Sequence, residues 1–392
     1  MPPSREEIRS RLKRLSQALR NEGLEAALIR YPLHIFYFTG TFADGHLIVT
    51  NQGQAYLLVY RPFSRAREEA LIEEVISFRS LKALPGFLKD LGLKSLGLEE
   101  DRLPHSIYRG YERLLQEFER RDLSPLLRDL RARKSPYEIS CLRRAGQMLA
   151  EAIEAALPRF RPGLTELEMA GLLEAELRKR GHPAYTRTYA FHQELAYGHL
   201  LTGKAAAVPS YLTTGQGGLG VVGFPQGPSE KVFSENELLL IDYAGWFEGY
   251  LVDQSRLFFF GRLHPQLEET FQKILHLLET LEAYLRPGIT AEELYLQARS
   301  LAQELGLGSC FMAHGEEGVP FVGHGVGLEI DEWPPIAPKI KVPLEEGMVI
   351  ALEPKCHLPG KGVVGLEDTF VLTPQGAERL TPFPRELRRL GP

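Results

Sequence analysis

The chain has 392 residues, 44% hydrophobic and 25% charged, with 46 Lys and Arg against 51 Asp and Glu for a net charge of -5. That length exceeds what a single hydrophobic core organises and points to two or more domains, while the acidic balance leaves no basic face for nucleic acid. No apolar run approaches the roughly 20 residues that cross a bilayer, which argues against a membrane partner.

The N-terminus, MPPSREEIRSRLKRLSQALR, alternates charge with leucine and lacks the apolar core of a secretion signal. Leu12, Leu15 and Leu19 recur at helical spacing, and Gly23 stops the helix. The runs EAALIRY, HLIVT, QAYLLVY and SLGLEE then read as short buried strands between turn residues, and a charged helix is expected over 107–121. LRARKSPYEI (130–139), basic and carrying Ser-Pro, marks a boundary between domains at 1–129 and 130–392. Beyond it a long amphipathic helix runs through Leu142, Ala145, Met148 and Ile153. The chain then repeats: RPGLTELEMAGLLEAELRKRG (161–181) matches RPGITAEELYLQARSLAQELG (286–306). Thr165 with Glu168 and Thr290 with Glu293 each form a capping box, which satisfies orphan donors at a helix start. Two such entries indicate a duplicated α/β half and a cleft between the copies. The three cysteines, Cys141, Cys310 and Cys356, are odd in number and far apart. They argue against a disulfide framework and for a reduced, cytoplasmic protein, with Cys356 a buried thiol.

ELLLIDYAG (237–245) and YLVDQSRLFFFG (250–261) read as a hairpin. With a four-residue loop at 246–249, Asp242 faces Asp253 directly, with Cβ atoms about 4.5–5.5 Å apart. Two carboxylates so close, flanked by apolar residues, need a shared proton or a cation between them, unless they face solvent on an edge hairpin. Glu353 closes the apolar run GMVIALEP, and Glu367 sits in GVVGLEDTF. His324 lies between glycines in GHGVGLEIDEWPP, which leave room for a ligand-bound ring, with Glu329 a neighbouring surface acid. Four carboxylates with one imidazole suit two divalent ions, Mn²⁺, Co²⁺ or Zn²⁺. Arg256 is placed to order Asp253 or to make a surface salt bridge.

These residues resemble the pita-bread metallopeptidases, family M24, in the branch of prolidase and Xaa-Pro aminopeptidase; the non-peptidase creatinase shares the scaffold. VDQSR stands where the family has Ser-Asp-x-Thr-Arg, and ALEP and LEDT match its two glutamate motifs. The resemblance implies an α/β (α+β) fold, with a creatinase-like N-terminal domain and a duplicated pita-bread domain. It also implies a homodimer and a metal set of Asp242, Asp253, His324, Glu353 and Glu367 holding two ions and a bridging water. The expected activity is hydrolysis of short peptides, chiefly at Xaa-Pro bonds, with Glu353 managing the proton of the water and His324 and Asp331 beside the reacting carbonyl.

Two positions depart from the family. Asp331, in DEWP, stands where the second histidine of a His-Glu-x-Pro motif is expected. The histidine that normally ends a Ser-Gly-x-Asn-Ala-Ala-x-Pro-His stretch falls on Ser210 in TGKAAAVPS, or on Pro225 if the alignment runs back from Asp242 without a gap. Ser210 is followed by a glycine-rich insertion, YLTTGQGGLGVVGFPQGPSE. His192, His199, His314 and His357 are the available replacements or else ordinary packing histidines. Ser210, His357 and Trp333 are the substrate-binding candidates, although Trp333 and Pro334 equally suit a strand cap. These departures keep two alternatives open: hydrolysis of another small amide or amidine C–N bond, and a binding homologue that has lost catalysis.

Overall fold

The computed structural model describes residues 2–191, 193–313 and 318–391. The chain forms two compact units, Met1–Arg131 and Ala132–Pro392.

In the first unit, helix Arg5–Asn21 starts at Ser4, whose side chain accepts from the Glu7 amide, and buries Ile8, Leu12, Leu15 and Leu19 along one stripe. It accompanies a mixed sheet built from β1 (Ala26–Ile29), β2 (Asp44–Thr50), β3 (Ala55–Arg61), β4 (Glu74–Ser77), β5 (Ser95–Leu98) and β6 (Glu119–Asp122). Their order is β4-β3-β2-β1-β5-β6. β1 is buried at every position, as its unbroken apolar run requires of a central strand. The helix expected over 107–121 is shorter: it spans His105–Leu114, and residues 119–122 instead pair in parallel with β5. Sheet pairing overrides the helical bias of that charged segment, and charges suit β6 because it is an edge.

The second unit carries four long helices, Pro136–Ala156, Glu166–Lys179, Pro265–Tyr284 and Ala291–Glu304. Both predicted capping boxes are formed, at Thr165 with Glu168 and Thr290 with Glu293, and Ser135 with Glu138 makes another. The strands are β7 (Gly198–Thr202), β8 (Leu238–Phe247), β9 (Tyr250–Phe259), β10 (Gly323–Gly325), β11 (Glu332–Ile336), β12 (Val349–Leu352), β13 (Lys355–Leu358), β14 (Gly362–Gly365), β15 (Asp368–Thr373), β16 (Gly376–Arg379) and β17 (Arg388–Arg389). They group as β17-β9-β8-β7, β11-β10-β12-β15-β16 and β13-β14. Alternation along β8 divides the core: Leu239, Ile241 and Tyr243 pack with Leu149, Ile153 and Leu173 of the first helix pair. Leu238 and Leu240 pack with Phe271, Ile274 and Leu294 of the second. Asp242 therefore projects from the second face, with Leu238 and Leu240. Among the described residues, no helix is long and apolar enough to cross a membrane.

Contrary to expectation, Cys310 and Cys356 form a disulfide with Cα atoms 4.8 Å apart, while Cys141 is free and buried. A lone antiparallel bridge between Phe311 and Cys356 brings the two backbones together, a proximity invisible in residues 46 apart.

Candidate metal centre and cleft

The β8–β9 hairpin turns on two residues, Glu248 and Gly249, both at positive φ (51° and 93°), the left-handed backbone a tight two-residue hairpin turn demands. The expected four-residue loop is thus replaced, and the register shifts by two. Asp242 pairs with Ser255 and Asp253 with Ala244. A shift of two keeps both acids on one face but makes them diagonal neighbours, some 7–8 Å apart rather than in contact. That spacing leaves room for a positive charge between them.

Two stitches fix this hairpin to the neighbouring sheet. Ser255 and Glu367 exchange backbone hydrogen bonds at 3.3 Å, and Ser255 Oγ donates to Glu367 Oε2 at 3.1 Å. Thr369 Oγ1 accepts from the Asp253 amide and donates to the Asp253 carbonyl, both at 2.9 Å. Glu353 follows β12 and Glu367 precedes β15, strands paired with Leu352 opposite Asp368. His324 lies in β10 opposite Ala351, with Nε2 3.4 Å from Glu353 Oε1. All five predicted donor residues therefore line one pocket. The flanking glycines serve the sheet rather than a ligand: a Cβ on Gly323 would meet the Ala351 carbonyl at 2.2 Å, and one on Gly325 the Trp333 carbonyl at 2.5 Å.

The pocket already holds a cation of its own. Lys355 Nζ lies 2.6 Å from Glu353 Oε2, 2.9 Å from Asp242 Oδ2 and 3.4 Å from Glu367 Oε2, and the side chain is buried. Burial opposes the charge on Lys355, but Asp242, Glu353 and Glu367 raise its pKa well above the ordinary range. Burial likewise would raise Glu353, yet Lys355 and His324 hold it down at about 2. His324 rises to about 9 because the Glu353 hydrogen bond and charge, with Asp253, outweigh burial. Asp253 is pushed up to about 7 by burial and the Asp242 charge, and Glu367 is raised by burial and Asp253. The positive charge present offsets Glu353 most, while Asp253 and Glu367 stay raised, as expected of acids that would share a proton or a further cation.

A divalent ion fits that remaining place. One donor atom from each of Asp253, His324 and Glu367 lies within 4.8 Å of the others, and Glu367 Oε1 is buried with no hydrogen-bond partner among the described residues. Oxygen donors with a single imidazole are the set that borderline divalent metals accept.

Comparison with known proteins gives the family. The model of metallopeptidase family M24 matches residues 140–374, and that of the creatinase/prolidase N-terminal domain matches residues 11–133. The chain belongs to metallopeptidase family M24. The Xaa-Pro dipeptidase of Pyrococcus furiosus is 28% identical over 97% of this chain and 100% of its own. The solved prolidase of Pyrococcus horikoshii OT3 superposes with a TM-score of 0.80, at 27% identity over 96% of this chain and 99% of the other. The X-Pro aminopeptidase of Thermotoga maritima MSB8 gives 0.81 at 26% identity over 97% and 99%. This M24 chain is a peptidase-type hydrolase of the prolidase branch, and its family implies divalent metal ions.

The remaining predicted residues of the M24 site fall in several places. Asp331 accepts from the backbone amides of Tyr189 and, at 3.0 Å, Ala190. Both of its oxygens hold that segment. Glu329 is fully buried rather than a surface acid. Glu332 caps the turn at the Leu328 and Glu329 amides and pairs with Lys134 at 3.1 Å. Arg256 does not order Asp253. Three residues apart on a strand, the two point to opposite faces, and Arg256 pairs with Asp368 at 2.6 Å. Trp333 is half-buried and packs on the core of the second helix pair.

Ser210 and His357 line a cleft of about 260 Å³ together with Thr214 and Gln216. His357 Nε2 donates to the Gly215 carbonyl at 2.6 Å and so anchors the glycine-rich insertion. Ser210 Oγ accepts from the Leu212 amide at 3.0 Å. Pro225 lies in the same insertion, and Gln226, beside it, donates to the Glu194 carbonyl at 2.6 Å. Gln216 enters the pocket itself: its Nε2 donates to Asp242 Oδ2 and lies 3.2 Å from His199 Nδ1. His199, opposite Asp242 across β7–β8, is therefore buried beside the donors. His192 and His314 lie outside the described residues.

Sequence reasoning missed Lys355, Gln216 and the disulfide. Lys355 has a signal: it stands two residues after Glu353, so an extended chain puts both on one face. Gln216 has none, because a glycine-rich loop carries no periodicity.

Proposed function

We propose that this chain is a metal-dependent Xaa-Pro dipeptidase, cleaving the bond before proline in dipeptides and the shortest peptides as a homodimer. The observation that carries the reading is the convergence of Asp253, His324 and Glu367 within 4.8 Å of one another, with Gln216 shared between their pocket and a cleft of about 260 Å³. A cleft of that size suits a dipeptide better than a long chain, and relatives of nearly equal length carry the name Xaa-Pro dipeptidase. The non-peptidase alternative gains nothing from them.

A divalent ion, when bound, makes water acidic near neutrality and polarises a carbonyl. The residues supply the rest. Asp253, His324 and Glu367 would hold the ion, while Asp242 and Glu353 surround Lys355. Glu353, ionised through Lys355 and His324, accepts the proton of the attacking water and returns it to the departing proline nitrogen. Ser210 and His357 border the space for the substrate.

Purified chain loaded with Mn²⁺, Co²⁺ or Zn²⁺ should release the N-terminal residue from Xaa-Pro dipeptides faster than from Xaa-Pro-Yaa tripeptides. Glu353→Gln should lower kcat by roughly 10²–10⁴-fold with KM little changed. Absence of cleavage before proline in every such peptide by the metal-loaded protein would end this reading.

A further inference from the structure

We propose that the Lys355 ammonium stands permanently in the place of one cation, so that the pocket takes a single divalent ion, held by Asp253, His324 and Glu367. The inference rests on the proposal that the metal of this peptidase is held in this cluster of acids and His324, and it does not depend on the substrate.

The ammonium has three N–H donors, and three carboxylate oxygens meet it: Asp242 Oδ2 at 2.9 Å, Glu353 Oε2 at 2.6 Å and Glu367 Oε2 at 3.4 Å. An ion ligated by Asp242 and Glu353 through those oxygens would lie within a few ångströms of Nζ. Two cations so close in a water-poor pocket repel strongly, and the lysine has no exposed route by which to withdraw its charge, since the residue is 1% exposed.

The space for this side chain is built into the fold. Lys355 is the register partner of Gly365 across β13–β14. A Cβ on Gly365 would come within 2.5 Å of Lys355 Cγ, and one on Gly215 within 2.7 Å of Lys355 Cδ. The aliphatic stem thus runs between two glycines, one from the sheet and one from the insertion. Neither position accepts another residue while Lys355 keeps this course.

Lys355 and Ser255 engage Glu367 only through Oε2, and Glu367 Oε1 has no partner among the described residues. Glu367 is also one of the trio, with Asp253 and His324, that each offer a donor atom within 4.8 Å of the others. Charge follows the same division. One ammonium and one divalent ion bring three positive charges to four carboxylates, whereas a second ion would bring five. The pair of ions implied by the family resemblance therefore reduces to one ion and one lysine.

The test counts metal without measuring turnover. The full chain, stripped with chelator, is titrated with Mn²⁺ or Co²⁺, desalted and assayed by elemental analysis, and the Mn²⁺ form is examined by electron paramagnetic resonance. Wild type should bind one ion per chain and give the spectrum of an isolated Mn²⁺, and Lys355→Gly should bind two with an exchange-coupled spectrum. In the wild-type background Asp253→Asn should abolish binding, while Asp242→Asn should retain the single ion. This pair decides the matter if Lys355→Gly does not fold. Two ions or none in wild type, one ion in folded Lys355→Gly, or retention by Asp253→Asn with loss by Asp242→Asn would each overturn the proposal. One ion bound without cleavage before proline supports the metal count and counts only against the dipeptidase reading.

Discussion

The Arg256 guanidinium holds the backbone, not the carboxylate, of one proposed metal donor, Glu367. It is fully buried and donates to the Glu367 carbonyl at 2.7 Å, the Phe383 carbonyl at 2.7 Å, the Pro384 carbonyl at 2.8 Å and the Asp368 carboxylate at 2.6 Å. The planar fork serves several acceptors at once, and a lysine has neither the donors nor the geometry to replace it. Arg256→Ala strands the buried Asp368 charge, although Arg385 also reaches that carboxylate at 2.6 Å. We expect a loss of about 3–5 kcal/mol in urea denaturation, with Arg256→Lys intermediate, and a weaker metal affinity in both because Glu367 loses its backbone anchor. Unchanged denaturation midpoints would show that Arg385 alone suffices. That the five proposed donor residues would come together was legible in the sequence, because acids closing apolar strands conflict with burial and demand a reason. The partner of Arg256 was legible in principle, since odd spacing on a strand reverses the face. The contacts of Asp331 were not legible, because its position in a motif says nothing about the Tyr189 and Ala190 amides, some 140 residues upstream, that it serves.

At the scale of elements, the two capped helices of the repeat differ in one informative place. After Thr290 comes Ala291, but after Thr165 comes Glu166, which is fully buried. Its carboxylate accepts from the Thr202 amide at 2.7 Å and hydroxyl at 2.9 Å, and from the Ser229 amide at 3.0 Å and hydroxyl at 2.7 Å. Glu166 thereby clamps the far end of the glycine-rich insertion to β7, as His357 clamps its near end at Gly215. Glu166→Ala leaves those donors unpaired and should cost roughly 2–4 kcal/mol. Hydrogen exchange should rise across 211–229, and limited proteolysis should cut there first, while the helix Ala291–Glu304 keeps its protection. Equal protection in the variant and wild type would refute the clamp. The repeat, its capping boxes and the hairpin were readable from spacing alone. The hairpin's register was not, because turn length is fixed by the backbone of Glu248 and Gly249, and FEG permits loops of more than one length.

For the molecule as a whole, each unit contains a histidine held neutral by its surroundings. Burial, reinforced by Arg30 and opposed by Asp44, lowers the pKa of His46 in the first unit to about 3; its Nε2 meets the Tyr111 hydroxyl at 2.5 Å. In the second unit burial lowers His182 to about 4, where the ring stacks on Tyr197. The unfolded chain protonates both near the ordinary 6.5, so from there downward it binds protons that the folded chain refuses. The stability these rings contribute is complete above about pH 6.5 and drains away as pH falls towards 3–4, by up to about 1.4 kcal/mol per pH unit for each. Urea unfolding at pH 5.0 against pH 7.5 should show a loss of about 2 kcal/mol per histidine, and His46→Gln should remove the share of the first unit. A pH-independent midpoint in that variant and wild type alike would count against it. The fold class was open to sequence reasoning because periodicity and composition report on burial, whereas the Cys310–Cys356 link was not, because it depends on a bridge between distant strands. That link has a topological consequence. It closes a covalent ring of chain that contains His324 and Glu353 and excludes Asp242, Asp253 and Glu367. In the unfolded polymer that ring restricts how far apart the two enclosed residues can wander, and a reductant that opens it removes the restriction.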